Sequence, residues 1–268
     1  MQLYELITPT SASQVPILLS IPHAGIHIPT DLKANYVPAM IEKLDDTDFF
    51  LDQLYHFATE MGITILKANY SRWVIDLNRD ANNAPLYQDG RVITDLVPTT
   101  DFLGNAIYLP EKQPSAAEIQ RRTQEYYLPY HTKIAEILQS FKKTHGHALL
   151  YDAHSIRQYV PAIRKDKFPD FILGSNQEQS AHPLLIEKMW QNLSASGYSA
   201  THNTPFQGGA ITRNFGKPAE NIHALQLERA KINYMNDSET EYAPARASIM
   251  QQLLKKNLLD LIDILKKL

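Results

Sequence analysis

Two histidines, a group of aspartates and a set of arginines are the residues of this chain whose types could carry out hydrolytic chemistry. His23 stands in Pro22-His23-Ala24-Gly25, just past the apolar run VPILLSI at 15–21. His154 stands in Tyr151-Asp152-Ala153-His154-Ser155, just past the apolar run ALLYD at 148–152. A lone histidine beyond a strand is ordinarily a hydrogen-bonded structural residue. Two that each follow a buried strand would point into one crevice, and Asp152 is placed to orient an imidazole. The chain has no cysteine, so a bound metal must be held by His, Asp, Glu and water. Two histidines and one carboxylate, with a position left for water, is the usual hydrolytic zinc set. Asp45, Asp46 and Asp48 are the candidates for the carboxylate. Each could instead cap a helix start, where aspartate satisfies free N–H groups and complements the dipole. Capping is the expected fate of at least two of them.

Arg72, Asn78 and Arg79 form a second constellation, the two arginines bracketing the short run WVIDL at 73–77. A guanidinium fork can grip a carboxylate through two parallel hydrogen bonds, which an acidic small substrate would need. Solvated surface charge is the alternative. Glu228 ends the apolar run ALQLE at 224–228. Facing a crevice beside a metal, it could have a shifted pKa and take a proton from water. A salt bridge to Arg229 or a lysine would be its structural role. Arg157 and Arg213 are further candidates for carboxylate contacts, with surface solvation the simpler reading of each.

These residues need a scaffold, and the apolar patterning supplies one. Val15–Ile21, Ile63–Ala68, Trp73–Leu77, Ala148–Asp152, Asp170–Gly174 and Ala224–Glu228 read as strands. Helices are expected from Asp45 to Gly62, from Ser115 to about Thr144, over His182–Ala195 and from Ala243 to the chain end. Strands separated by crossover-length helices predict an α/β fold: a three-layer α/β/α sandwich around a mostly parallel or mixed central sheet. One domain over residues 1–268 is expected. The candidate residues cluster after strand ends, where open α/β sheets bind ligands. The polar loop DLNRDANNAPLYQDG at 76–90 could wall such a site.

The bulk figures narrow the partners. With 44% hydrophobic and 21% charged residues, the 268-residue chain has ordinary globular composition. Its 26 Lys and Arg against 29 Asp and Glu give a net charge of -3 and no basic track for nucleic acid. Met1-Gln2-Leu3-Tyr4-Glu5 lacks the basic and apolar regions of a secretory signal, and no apolar run reaches the ~18 residues of a membrane span. A soluble, cytoplasmic protein without membrane partners is expected. The oligomeric state leaves no mark on the sequence.

Taken together, the motifs resemble the N-formylglutamate amidohydrolase (N-formylglutamate deformylase) family of histidine catabolism. They are SIPHAG at 20–25 with IP at 28–29, DTD at 46–48, YSRWVIDLNRD at 70–80, YLP at 108–110 and YYLPYH at 126–131. YDAHSIR at 151–157, PFQGGAITRNFG at 205–216, and LQLE at 225–228 with YM at 234–235 complete the set. The resemblance implies a fold related to zinc carboxypeptidases and aspartoacylase-like deacylases (phosphorylase/hydrolase-like), and one divalent metal ion, Zn2+. It matches His23 and His154 to the metal-binding histidines. Position 26 is Ile26, however, where the wider group has a glutamate ligand. Asp46 then matches the recurring aspartate of wider relatives, with Asp48 as the alternative. Arg72 resembles the arginine that polarises the scissile carbonyl, Asn78 and Arg79 the grip on the substrate carboxylate, and Glu228 the general acid/base. The implied reaction is hydrolysis of N-formyl-L-glutamate to formate and L-glutamate. A deacylase of another small acidic N-acyl amino acid and a non-catalytic binding protein keeping the fold are the alternatives.

Overall fold

The computed structural model describes residues 1–9, 13–84 and 94–268. Residues 85–90 of the polar loop at 76–90 therefore lie outside the described residues. Seven strands form one mixed sheet: β1 (Tyr4–Ile7), β2 (Ile17–Ile21), β3 (Thr64–Ala68), β4 (Ala148–Ile156), β5 (Phe171–Gly174), β6 (Ala200–His202) and β7 (Ile222–Ala230). Their order is β1-β3-β2-β4-β7-β5-β6. The four central strands β3, β2, β4 and β7 run parallel, β1 pairs antiparallel with β3, and β5 pairs antiparallel with β7 but parallel with β6.

Every residue of β2, β4 and β7 is buried. Burial on both faces favours apolar side chains, which is why β2 and the first halves of β4 and β7 read as largely apolar runs, while most of the buried polar residues of β4 and β7 lie in their carboxyl halves. Successive side chains still alternate between two cores. Ile17, Leu19, Leu149, Tyr151, Leu225 and Leu227 join the core on one face, and Leu18, Leu66, Leu150 and Ala224 the core on the other.

The helices are α1 (Thr30–Lys33), α2 (Pro38–Lys43), α3 (Leu51–Leu54), α4 (Ala116–Arg122), α5 (Leu128–His145), α6 (Pro183–Ser194), α7 (Ala210–Phe215) and α8 (Pro244–Leu265). Residues of α3, α6 and α8 cover the first face, and residues of α5 and α7 the second, giving the expected three layers. A smaller third core gathers Leu32, Tyr36, Trp73, Val74, Ile107 and Tyr108 beside the sheet. Among the described residues no helix is long and apolar enough to cross a membrane.

Three expectations change. Residues 45–50 are irregular, and the helix expected from Asp45 is one turn, α3, followed by a 3-10 segment at His56–Met61. Leu44 (φ 44°) and Phe50 (φ 61°) are left-handed, so no helix can run through them. Trp73–Leu77 is not a strand. Its apolar side chains divide between two cores, Trp73 and Val74 entering the third and Ile75 and Leu77 the second, so a buried connection carries the apolar composition of a strand. Strand β4 continues to Ile156, so His154 lies within it rather than beyond it.

Candidate metal and hydrolase site

The register of β4 against β7 sets Asp152 opposite Gln226 and His154 opposite Glu228. All four side chains therefore share one face at the carboxyl end of the sheet, continuing the rows that begin with Leu150 and Ala224. His23 arrives from the segment after β2. That segment presses so closely on its neighbour that a Cβ on Gly25 would lie 2.3 Å from the carbonyl oxygen of Tyr70. Only glycine fits there.

Each histidine is fixed by a carboxylate on its Nε2: His23 by Asp76 Oδ1 at 2.8 Å, and His154 by Asp152 Oδ2 at 2.9 Å. Both Nδ1 atoms consequently face Asp48, whose Oδ2 lies 3.8 Å from that of His23 and 3.3 Å from that of His154. The loop of Asp48 is tied to β2's end by its backbone N–H, which donates to the carbonyl of His23 at 2.9 Å. Its Oδ1 accepts from Ser155 Oγ at 3.1 Å, and Ser155 in turn accepts from the Tyr234 hydroxyl at 2.9 Å.

The three side chains offer two nitrogens and one oxygen, all within 4.8 Å of one another. His23 Nδ1 and Asp48 Oδ2 are buried without a hydrogen-bond partner among the described residues. Orphaned buried polar atoms are rare, and here they converge on a single point. Ligands of a tetrahedral zinc ion at about 2.0–2.1 Å from the metal lie roughly 3.3 Å apart, so the donor set fits such an ion.

Asp46, matched to a metal ligand above, is not brought to this point. Its Oδ2 accepts from the indole Nε1 of Trp73 at 2.9 Å and its Oδ1 from the backbone N–H of Phe102 at 3.1 Å. Asp48 occupies the place instead. Asp45, the third candidate, pairs with Arg157.

The charges are strongly coupled. Burial pushes the pKa of His23 down to about 4, with Arg72 adding to the effect. Burial would also depress His154, but the carboxylates of Asp152, Asp48 and Glu228 outweigh it and hold this imidazole well above its ordinary value. Burial opposes ionisation of Asp48, yet His154, His23 and Arg72 keep its pKa below the ordinary value. Glu228 is pushed up to about 7, first by burial and then by Asp48, against His154 and Arg72.

A cavity of about 270 Å³ opens over these groups. Its lining includes the polar residues His23, Arg72, Asn78, Arg79, His154 and Glu228 and the apolar residues Phe102, Ile156, Ile163 and Phe206. Arg72 Nη2 donates to Asp76 Oδ2 at 2.6 Å, and its guanidinium lies under the Phe102 ring, 4.6 Å from the centroid. Arg79 reaches the Thr94 carbonyl at 3.0 Å and the Thr94 hydroxyl at 2.8 Å. Asn78 Oδ1 accepts from the backbone N–H of Ile211 at 2.9 Å, and its Nδ2 donates to Gln226 Oε1 at 3.2 Å. A Cβ on Gly209 would lie 2.4 Å from this amide, so the second glycine of the 208–209 pair is required for the packing.

Two expected contacts are absent from the cavity. Arg157 turns away, its Nε donating to Asp45 Oδ2 at 2.9 Å and its Nη1 to the Ser238 carbonyl at 3.1 Å. Arg213 Nε donates to the Gly208 carbonyl at 2.8 Å, and this arginine is not among the described residues lining the cavity. Conversely, Asp76, Gln226, Ser155 and Phe102 shape the site without having been assigned a task from sequence. Asp76 sat in plain view between the two arginines. Nothing in the sequence marked Phe102.

The fold and the geometry define an α/β protein with a two-histidine, one-carboxylate site suited to metal-assisted hydrolysis. The family model described as N-formylglutamate amidohydrolase matches residues 15–235, and the chain belongs to that family. It is 40% identical over 248 residues to N-formylglutamate deformylase of Pseudomonas aeruginosa, covering 90% of this chain and 92% of the relative. The same-named protein of Pseudomonas putida is 39% identical over the same shares. Among solved structures, N-formylglutamate amidohydrolase from Ralstonia eutropha JMP134 superposes with a TM-score of 0.82 at 24% identity, covering 98% of both chains. A gene product of Agrobacterium tumefaciens follows at a TM-score of 0.71 and 17% identity, covering 97% of this chain and 96% of that one. These two likenesses establish the fold.

Proposed function

We propose that this chain, acting as one metallohydrolase domain over residues 1–268, hydrolyses N-formyl-L-glutamate to formate and L-glutamate. The observation that carries the chemistry is the pair of orphaned buried atoms, His23 Nδ1 and Asp48 Oδ2, facing the same point as His154 Nδ1. The substrate follows from the 40% identity to a relative named N-formylglutamate deformylase. His23, Asp48 and His154 hold one divalent ion, and a nitrogen-rich set without sulfur suits Zn2+. When bound, the ion supplies Lewis acidity and makes water acidic enough to react near neutral pH.

The chain's own residues do the rest. Glu228, poised at about 7, accepts the proton of the attacking water as the new C–O bond forms. Arg72, its guanidinium oriented by Asp76, stabilises the negative charge that develops on the carbonyl oxygen. Glu228 then gives the proton to the amine nitrogen as the C–N bond breaks, so that one water is consumed and formate and L-glutamate leave. Arg79, which lines the same cavity as Arg72, grips a substrate carboxylate. The apolar lining residues Ile156 and Ile163 pack against the substrate methylenes. Asp152 and Asp76 keep both imidazoles turned with Nδ1 toward Asp48.

The test is release of formate from N-formyl-L-glutamate by the purified protein, before and after a chelator and after addition of zinc. Formate release that the chelator abolishes and zinc restores is the expected result. Turnover untouched by metal removal would overturn the metal assignment, and absence of turnover with zinc present would overturn the substrate.

A further inference from the structure

Asp46 is a buried carboxylate that the proposed reaction does not use. It is 5% exposed, and among the described residues neither oxygen meets a cationic side chain at hydrogen-bond distance. Burying a carboxylate is costly unless hydrogen bonds compensate it, and here each oxygen accepts one. Its two donors are telling. Trp73 is the chain neighbour of Arg72, and Phe102 carries the ring that lies over the Arg72 guanidinium. One carboxylate thus ties together the indole of the residue next to Arg72 and the backbone of the residue whose ring covers it.

The surroundings make this tie rigid. The Trp73 carbonyl accepts from the Tyr36 hydroxyl at 3.0 Å, and the Val74 carbonyl accepts from Arg122 Nη1 at 3.1 Å. On the other side, Asp101 Oδ1 accepts from the backbone N–H groups of Leu103 at 2.9 Å and Asn105 at 2.7 Å. Phe102 therefore sits at the head of a braced turn. With Asp76 on its edge and Phe102 on its face, the Arg72 guanidinium has little freedom except toward the cavity.

We propose that Asp46 is a positioning residue for Arg72, acting through Trp73 and Phe102 to hold the guanidinium at the reacting carbonyl. The inference rests on the reading of Arg72 as the group that stabilises developing charge. Its energetic sense is that a donor fixed before the reaction need not reorganise during it, and a displacement of about 1 Å at such a group can cost on the order of 100-fold in rate.

The experiment compares Asp46→Asn, Phe102→Leu and Phe102→Tyr in zinc-loaded full-length protein. It measures metal content, kcat and KM for N-formyl-L-glutamate, and the 15N–1H signal of Arg72 Nε. We expect Asp46→Asn to keep full metal content and to lose about 100-fold in kcat with KM little changed. Phe102→Leu should show the same split, and Phe102→Tyr, which keeps the ring, should recover most of the activity. The Arg72 signal should move in Asp46→Asn and Phe102→Leu but not in Phe102→Tyr. Unchanged kcat in folded Asp46→Asn would overturn the proposal, as would loss of metal from that variant. Should Asp46→Asn fail to fold, unchanged kcat in Phe102→Leu overturns it equally. If the wild type releases no formate, the functional reading fails. The Arg72 signal in the three variants then decides the clamp alone.

Discussion

Replacing Asp48 with asparagine separates the ligand from its near neighbour. Asp48 is 1% exposed, and among the described residues its Oδ2 has no partner other than the two imidazoles it faces, at 3.3 and 3.8 Å. The Asp48→Asn side chain would keep the shape and an acceptor for Ser155, so the fold should survive, but the anionic donor disappears. A scale for the loss comes from the layer behind. Removing a side chain that merely orients a ligand typically weakens metal binding by about 10- to 100-fold. Ser155→Ala, which deletes the hydroxyl holding Asp48 Oδ1 at 3.1 Å, should fall in that range. Losing the ligand itself must cost more than about 100-fold in Kd, or roughly 3 kcal/mol. Competition against a metal-sensitive dye at fixed pH would measure the series as wild type, then Ser155→Ala, then Asp48→Asn, in order of weakening. If Asp48→Asn binds zinc within tenfold of wild type, the assignment of this carboxylate is wrong.

Other substitutions probe the chemistry and the stability. Glu228→Gln keeps the size and polarity of the side chain but cannot take a proton, so kcat should fall by about 10²- to 10⁴-fold while metal content stays full. A variant within a few-fold of wild type would remove Glu228 from the proton path. His131, stacked on Tyr127 with ring centroids 3.9 Å apart and bonded through Nε2 to the Leu77 carbonyl, has its pKa lowered by burial from 6.5 to about 4. Its folded-state pKa lies below the unfolded value, so the unfolded chain binds more protons between these pH values. Stability should therefore fall as pH drops from 6.5 toward 4, by at most about 3 kcal/mol for this group. Urea midpoints for His131→Gln should depend less on pH over that window, and an unchanged slope would contradict the account. Asn257 is fully buried in α8, and neither of its amide atoms has a partner among the described residues. Asn257→Leu should stabilise the protein by about 1–2 kcal/mol and raise Tm by roughly 2–6 °C. A lower Tm would show that the amide is needed.

How much of this was visible in the chain depends on what each residue is surrounded by. Strands β2, β4 and β7 announce themselves because burial on both faces favours apolar side chains, above all in β2 and in residues 148–151 and 224–225. Strand β1 carries Glu5 between apolar neighbours at the sheet's edge and has no such signature, and β6 is three residues long. Trp73–Leu77 has the composition of a strand for another reason, since it is a buried connection between two cores. Pairing information, not composition, separates the two cases. For the site, the residue types were legible: both histidines, Arg72, Arg79 and Glu228 line one cavity. Arg157 was misplaced because an arginine written next to a motif can point either way. Here Asp45 and the Ser238 carbonyl capture it.

The two aspartates of the 46–48 motif show where reading by pattern stops. They are two positions apart, both almost fully buried, and identical in type, so neither hydropathy nor charge tells them apart. Which one faces the imidazoles depends on the direction of each side chain in an irregular loop bounded by left-handed Leu44 and Phe50, conformations that their side chains do not favour. Such a backbone exists because its surroundings impose it. Asp48 N–H is anchored on the His23 carbonyl, and Asp46 is anchored on Trp73 and Phe102. The loop thus presents one carboxylate to the imidazoles and turns the other into the wall behind Arg72. On the proposed reading both acids have a physical reason to be present: the same three-residue turn would orient a donor of the cation site and brace the arginine that shares its cavity. A substitution at either position should therefore damage turnover, but only one of them should release metal.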